Sequence, residues 1–239
     1  MSEPILNAII KLFALVAREG RVSKEERSHI ESFLQDHVGQ RSVGAHLRQF
    51  DEYCDLIAEH TPQQEAEDIK AIAMEINREV AQKQKSLIMI ELMSSVLTDG
   101  TITDHENQTA KAIANALNIS EADQDLIKYY VLGQKQGEFE HESILSVDSN
   151  SSYSGKGRHL YRDHLDGVIA ILYLSSTESF FFKYVGHTDV YLNSVPQKPH
   201  NINALAIGSL IRWGHTGPVY LGDILGVFKK LDNTTRTSF

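Results

Sequence analysis

The sequence predicts a two-part chain, an all-helical bundle followed by a small antiparallel β-sandwich, and three observations carry that expectation. First, charge is unevenly divided. Through Gln134 there are 13 Lys and Arg against 22 Asp and Glu, whereas the remainder has 10 of each sign, so the whole net charge of −9 sits in the first part. Second, 13 of the 19 aromatics and ten of the fifteen glycines follow Gln134, as β structure with tight turns requires. Third, the helical part repeats itself: Glu19-Gly20-Arg21-Val22-Ser23-Lys24-Glu25-Glu26 aligns with Asp99-Gly100-Thr101-Ile102-Thr103-Asp104-His105-Glu106. Acid, glycine, β-branched aliphatic, hydroxyl and Glu occupy the same slots in both copies.

Taken in order, Ile5, Ile9, Leu12, Phe13 and Val16 recur at helical spacing and predict a first helix ending at Glu19-Gly20. A second follows the Ser23 cap, carries Ile30, Phe33 and Leu34, and ends before Gly39. The third is expected from about Val43 to His60, with Leu47, Phe50, Tyr53, Cys54 and Ile57 inward. Thr61-Pro62 caps the fourth, which buries Ile69, Ile72, Ala73 and Ile76. The fifth, from about Gln82 to Leu97, is apolar on nearly every side between Leu87 and Met93, so it is expected at the centre of the bundle. A sixth from Asp104 to Leu117 and a seventh from Glu121 to Leu132 complete about seven helices.

The repeated junction has a local explanation. Glycine supplies the left-handed conformation past a helix end, and Ser23 or Thr103, three residues before Glu26 or Glu106, forms a capping box for the next helix. The same letters form the back half of an EF-hand loop, but the first and third ligand positions fall on Ser95 and Leu97, or on Leu15 and Ala17. Leu97, Leu15 and Ala17 offer no side-chain oxygen at these positions, which excludes that calcium loop. If the two repeats pack face to face, the carboxylates of Glu19, Glu26, Asp99 and Glu106 make a candidate site for a hard cation, Ca²⁺ or Mg²⁺.

Beyond Gln134, strand-like runs cover Glu142 to Val147, His159 to Tyr161, Val168 to Leu174, Phe180 to Tyr184, Val190 to Leu192, Leu205 to Ile211 and part of Val219 to Phe228. Turn signals at 149–157, 175–178, 186–187 and 214–218 separate them. In Phe180-Phe181-Phe182 the twofold strand period leaves at least one ring pointing outward, a candidate contact with another domain. The expected boundaries are a helical domain at 1–134, a β domain at 138–230, and a polar linker at 231–239.

The paired acid-Gly-x-Val/Ile-Ser/Thr-x-x-Glu junctions resemble the TerB-like family, known from tellurite-resistance operons and from DjlA-type membrane co-chaperones. That resemblance implies an all-helical bundle and, in some members, a divalent-cation site at these acidic junctions. The segments Val190-Tyr191-Leu192-Asn193-Ser194 and Leu205-Ala206-Ile207-Gly208-Ser209-Leu210-Ile211 are similar to the closing part of an FHA domain, a β-sandwich that binds phosphothreonine. It implies a phosphopeptide role for Arg158, which follows Gly157, and for Asn193. The Ser-Arg-x-His signature of that family is replaced by Tyr161-Arg162-Asp163-His164, Ser194 stands for its Gly, and Ser209 for its Asp. A helical bundle, an FHA-like module and a linker together resemble the amino-terminal cytoplasmic region of large bacterial ABC-transporter ATPases. No G-x-x-x-x-G-K-[ST] loop occurs in the sequence, so the ATPase is expected outside it.

Several function classes are disfavoured by composition. An acidic chain lacks the clustered Lys and Arg that phosphate backbones demand, so nucleic acid is not expected as a partner. No run reaches membrane-spanning length, and the acidic start is unlike a signal peptide, so direct membrane insertion is not expected either. A single cysteine, Cys54, fits a reducing cytoplasmic setting and a packed thiol. Eleven histidines include no pair at H-E-x-x-H spacing, which argues against zinc, and no nucleophile and base are patterned together. The expectation is a non-enzymatic regulatory region with a protein partner, either its own ATPase and transmembrane part or another protein, at the cytoplasmic face of the inner membrane. The alternative is a free-standing, divalent-cation-binding stress protein of the tellurite-resistance type.

Overall fold

The computed structural model describes residues 2–17, 22–97 and 102–235, with side chains described through Lys229. The chain divides into two compact units, Met1–Val131 and Leu132–Phe239.

The first unit contains seven helices among the described residues: α1 (Glu3–Val16), α2 (Lys24–His37), α3 (Gln40–Ile57), α4 (Pro62–Glu79), α5 (Gln82–Val96), α6 (Asp104–Ala116) and α7 (Glu121–Leu132). Their starts are chemically specified. Ser23, Thr61 and Thr103 each accept from the backbone N–H three residues on, while Glu26, Gln64 and Glu106 accept back from the cap N–H. Pro62 opens α4, where its missing N–H costs nothing.

The central helix is α1, not α5 as the apolar run at 87–93 suggests. Ten of its fourteen residues are buried, and it packs against α3, α4, α5 and α6. The α5 helix is also largely buried but packs against α1, α2 and α6, with Lys85 and Ser86 among its buried residues. On α3 the inward set is Val43, His46, Phe50 and Ile57, while Leu47, Tyr53 and Cys54 are half-buried. His46 is accommodated because its ring nitrogens meet Ser42 O at 2.9 Å and Glu3 Oε1 at 3.1 Å.

The second unit is a sandwich of two sheets and a final helix. Its strands are β1 (Ile144–Asp148), β2 (Arg158–Tyr161), β3 (Gly167–Leu174), β4 (Ser179–Gly186), β5 (Val190–Leu192), β6 (Val195–Pro196), β7 (Ile202–Leu205), β8 (Leu210–Trp213) and β9 (Val219–Tyr220). The orders are β2-β1-β3-β4-β7 and β6-β5-β8-β9. The sandwich is not wholly antiparallel: β1 and β2 run parallel, with Leu145 opposite Arg158 and Asp148 opposite Tyr161. The run Leu205 to Ile211 is two strands broken by a turn. Between Val219 and Phe228 only the first two residues are strand, and α8 (Leu221–Thr235) takes the rest and enters the expected 231–239 linker.

Between the sheets lie Leu145, Ile169, Ile171, Phe180, Phe182, Leu205, Ile211 and Trp213, closed at one side by Leu221, Ile224 and Phe228 of α8. The expected outward phenylalanine is absent, because both faces of β4 are buried: Phe180, Phe181 and Phe182 are 6%, 0% and 0% exposed. At the far end of the β3–β4 ladder Gly167 has φ +108° and faces Gly186, and a Cβ on it would lie 2.1 Å from Val185 O.

Because α1 is packed against four helices, truncation there opens a cavity that no single neighbour fills. Leu12→Ala is expected to lower unfolding stability by about 2–5 kcal/mol, whereas Leu56→Ala, 65% exposed on α3, changes it by less than about 0.5 kcal/mol. Urea denaturation of both variants followed by circular dichroism measures the difference.

Candidate functional site

The four acidic residues of the repeated junctions divide into two groups. Glu19 and Asp99 lie outside the described residues. Glu26 and Glu106 are the closing members of the α2 and α6 capping boxes: Ser23 N–H donates to Glu26 Oε2 at 2.6 Å, and Thr103 N–H donates to Glu106 Oε2 at 2.7 Å. One oxygen of each carboxylate is thereby committed to a helix end. Among the described residues no group of three or more His, Cys, Asp or Glu side chains is placed to hold a metal ion. The described members of the junctions therefore do not form a cation site by themselves, although their all-oxygen chemistry suits Ca²⁺ or Mg²⁺.

Arg158 and Asn193 sit in different sheets and are tied to the backbone. Arg158, at the start of β2, donates from Nε to Glu142 O at 2.5 Å and from Nη1 to Val227 O and Phe228 O at 3.3 and 3.2 Å. Its guanidinium lies 4.7 Å from the centroid of Phe228. Asn193 and Ser194 have φ of 51° and 69°, the turn that a two-residue hairpin between β5 and β6 requires. Asn193 Oδ1 accepts from Leu210 N–H at 2.9 Å, stitching that turn to β8. Trp213 is 1% exposed and donates from Nε1 to Asp163 O at 3.0 Å, so it is core.

Cys54 is half-buried on α3, and burial, reinforced by Asp51 and Asp55, pushes its thiol up to about 12. At neutral pH it is a thiol, chemically quiet as a nucleophile. In the β unit, His159 is engaged by its neighbours: Nε2 lies 2.8 Å from Asp148 Oδ1, and its ring stacks on Tyr153 at 4.3 Å.

Three features have weak signals in the sequence. A shallow groove of about 330 Å³ between α1 and α3 is lined by Asn7, Lys11, Glu52, Tyr53 and Leu56, with the Lys11 ammonium 5.6 Å from the Tyr53 ring centroid. Lys183, inside the run FFFKY, is 1% exposed and donates to Gly133 O at 2.6 Å. Glu140 gathers donors from the loop between β1 and β2. A lysine inside an apolar strand was the one visible sign of the second, and the glycines at 155 and 157 were the only sign of the third.

Among the described residues this is a bundle of seven helices with duplicated caps, followed by a β unit, and it matches a family model. The chain belongs to the TerB family, described as tellurite resistance protein TerB, whose model covers residues 6–129, just over half of the chain. No curated protein and no solved structure matches it.

Burial drives the Lys183 ammonium down to about 8 from an ordinary 10.5. Between those values the unfolded chain holds a proton that the folded chain has lost, so this group adds stability as pH rises from about 8 to 10.5. The increment is on the order of 3 kcal/mol. Lys183→Met is expected to flatten that part of the profile, measured as urea midpoints across the range.

Proposed function

We propose that this chain is a non-catalytic interaction region, in which the TerB bundle receives a partner and the β unit relays that event to a transporter ATPase of ABC type. The observation that carries the binding role is the α1–α3 groove. It sets Lys11 and Glu52 beside Leu56, so it offers both charges and an exposed aliphatic side chain to one protein partner. The relay to an ATPase is supported by the pairing of a TerB bundle with a β-sandwich in one chain. Among the described residues no helix is long and apolar enough to cross a membrane. The membrane-face location therefore belongs to the proposal through its transporter partner. Sequencing the natural reading frame through the codon for Phe239 tests the relay. An in-frame continuation into a phosphate-loop ATPase is expected, and a stop codon directly after Phe239 overturns it.

A second reading is favoured by the family match itself: a divalent-cation-binding stress protein of tellurite-resistance type. Here Asp99 and Glu19 supply the carboxylates that the capped Glu26 and Glu106 lack as a pair. Calorimetric titration of Ca²⁺ and Mg²⁺ into the chain, beside an Asp99→Asn/Glu106→Gln variant, distinguishes the readings. Heat that disappears in the variant, with its circular dichroism unchanged, identifies the junctions as the site. No heat with the wild type leaves them as helix caps.

A further inference from the structure

Parallel neighbours such as β1 and β2 normally need a crossover of a dozen or more residues. Here 149–157 makes the return in nine, and two carboxylates hold it. Asp148 Oδ1 accepts from Asn150 N–H at 2.8 Å and Asn150 Oδ1 from Ser152 N–H at 3.0 Å, which turns the chain away from β1. On the return, three donors converge on a single oxygen, Oε2 of Glu140: the Tyr153 hydroxyl at 3.0 Å, Lys156 N–H at 2.6 Å and Gly157 N–H at 3.0 Å. Gly155 is part of the same cradle, because a Cβ on it would lie 2.2 Å from both Glu140 oxygens.

Successive backbone N–H groups aimed at one point, with a hydroxyl beside them, are how proteins bind anions. The lip of the cradle is open: Ser154, Gly155 and Lys156 are exposed. Lys156 adds positive charge at this exposed lip, and Asp148 is spent on His159 and Asn150. Burial opposes ionisation of Glu140, yet bonds from Gly157, Tyr153 and Lys156 hold its carboxyl below the usual range. The cradle thus selects for an anion strongly enough to overcome desolvation. A carboxylate offers it two oxygens, whereas a phosphate monoester offers three and up to twice the charge.

We propose that Glu140 is the built-in occupant of a phosphate-binding cradle formed by Tyr153 Oη, Lys156 N and Gly157 N, and that a phosphate monoester displaces it. This goes beyond the reading above and does not depend on a transporter or a cation. It makes no use of the Arg158 and Asn193 side chains, which are bonded to the backbone.

The test is a ¹H–¹⁵N NMR titration of the full chain with inorganic phosphate, with a phosphothreonine peptide, and with the same peptide unphosphorylated, at constant ionic strength. Saturable shifts of the Lys156 and Gly157 amides are expected, with the Glu140→Ala variant binding phosphate about tenfold or more tightly than wild type because the internal competitor is gone. Glu140→Gln retains the shape and an acceptor oxygen without the charge, and is expected to fall between the two, so the comparison survives if the Ala variant unravels the loop. Binding of the phosphopeptide alone assigns the source to a modified protein, and binding of both assigns the cradle to phosphate as such. Either supports the proposal. Amides at 156 and 157 unmoved by any phosphate in wild type and both variants overturn it, as does equal affinity in wild type and Glu140→Gln.

Discussion

The first unit depends on the burial of α1. A helix packed against four others keeps only a narrow polar edge, here Asn7 and Lys11, and its Ile9, Leu12, Ala14 and Leu15 are completely inaccessible. Each of α3, α4, α5 and α6 must then bring an apolar face to it, and those faces appear as Phe50 and Ile57, Ile69 and Ile76, Ile90 and Leu92, and Ile113 and Ala114. The capping boxes fix where three of the helices begin, so the apolar stripes arrive in register. Capping chemistry and core packing act in sequence here: local bonds set the ends, and burial around α1 selects the arrangement.

In the second unit the corresponding constraint is the parallel pairing of β1 and β2. A nine-residue return exposes backbone N–H groups that no strand satisfies, and Asp148 and Glu140 accept from them. Carboxylates in this unit are therefore backbone partners. Arg158 follows the same rule from the donor side, giving its guanidinium to three carbonyls around Glu142 and α8.

The helices were legible because their signals are local. Ser23, Thr61-Pro62 and Thr103 announce starts, and the inward residues of α4 and α6 follow a 3.6 period that the structure buries without exception. The rank of the helices was not legible. Asn7 and Lys11 make α1 look two-faced, although they occupy only the groove beside α3, whereas the apolar run in α5 hides Lys85 and Ser86. In the β unit, β6 and the start of β7 carry little sequence signal because Pro196, Pro199 and Asn201 are turn formers in a segment that pairs through few residues. Helix α8 was masked by Gly222 and Gly226, while its start is marked by Asp223, whose Oδ2 accepts from Tyr220 N–H. The site signals fared worse for a related reason. Glu26, Arg158 and Asn193 stand at motif positions, but motif spacing does not reveal whether a side chain is already bonded to its own backbone.

That distinction bears on how the two units divide their chemistry. The bundle carries the whole net charge of −9, and the β unit is neutral. Among the described residues, Arg27 forks onto Asp51, with Nη2 at 2.9 Å from Oδ2, and Lys111 reaches Glu121 at 2.8 Å. The remaining field attracts cations and repels phosphate over about a Debye length of 10 Å or so. An anionic ligand is therefore disfavoured near the first unit on electrostatic grounds, which is consistent with a phosphate cradle in the neutral one. Conversely, a cationic partner or metal ion is concentrated at the bundle before any specific contact forms. The separation of charge along the chain thus fits the two proposals, a cation at the bundle and an anion at the β unit.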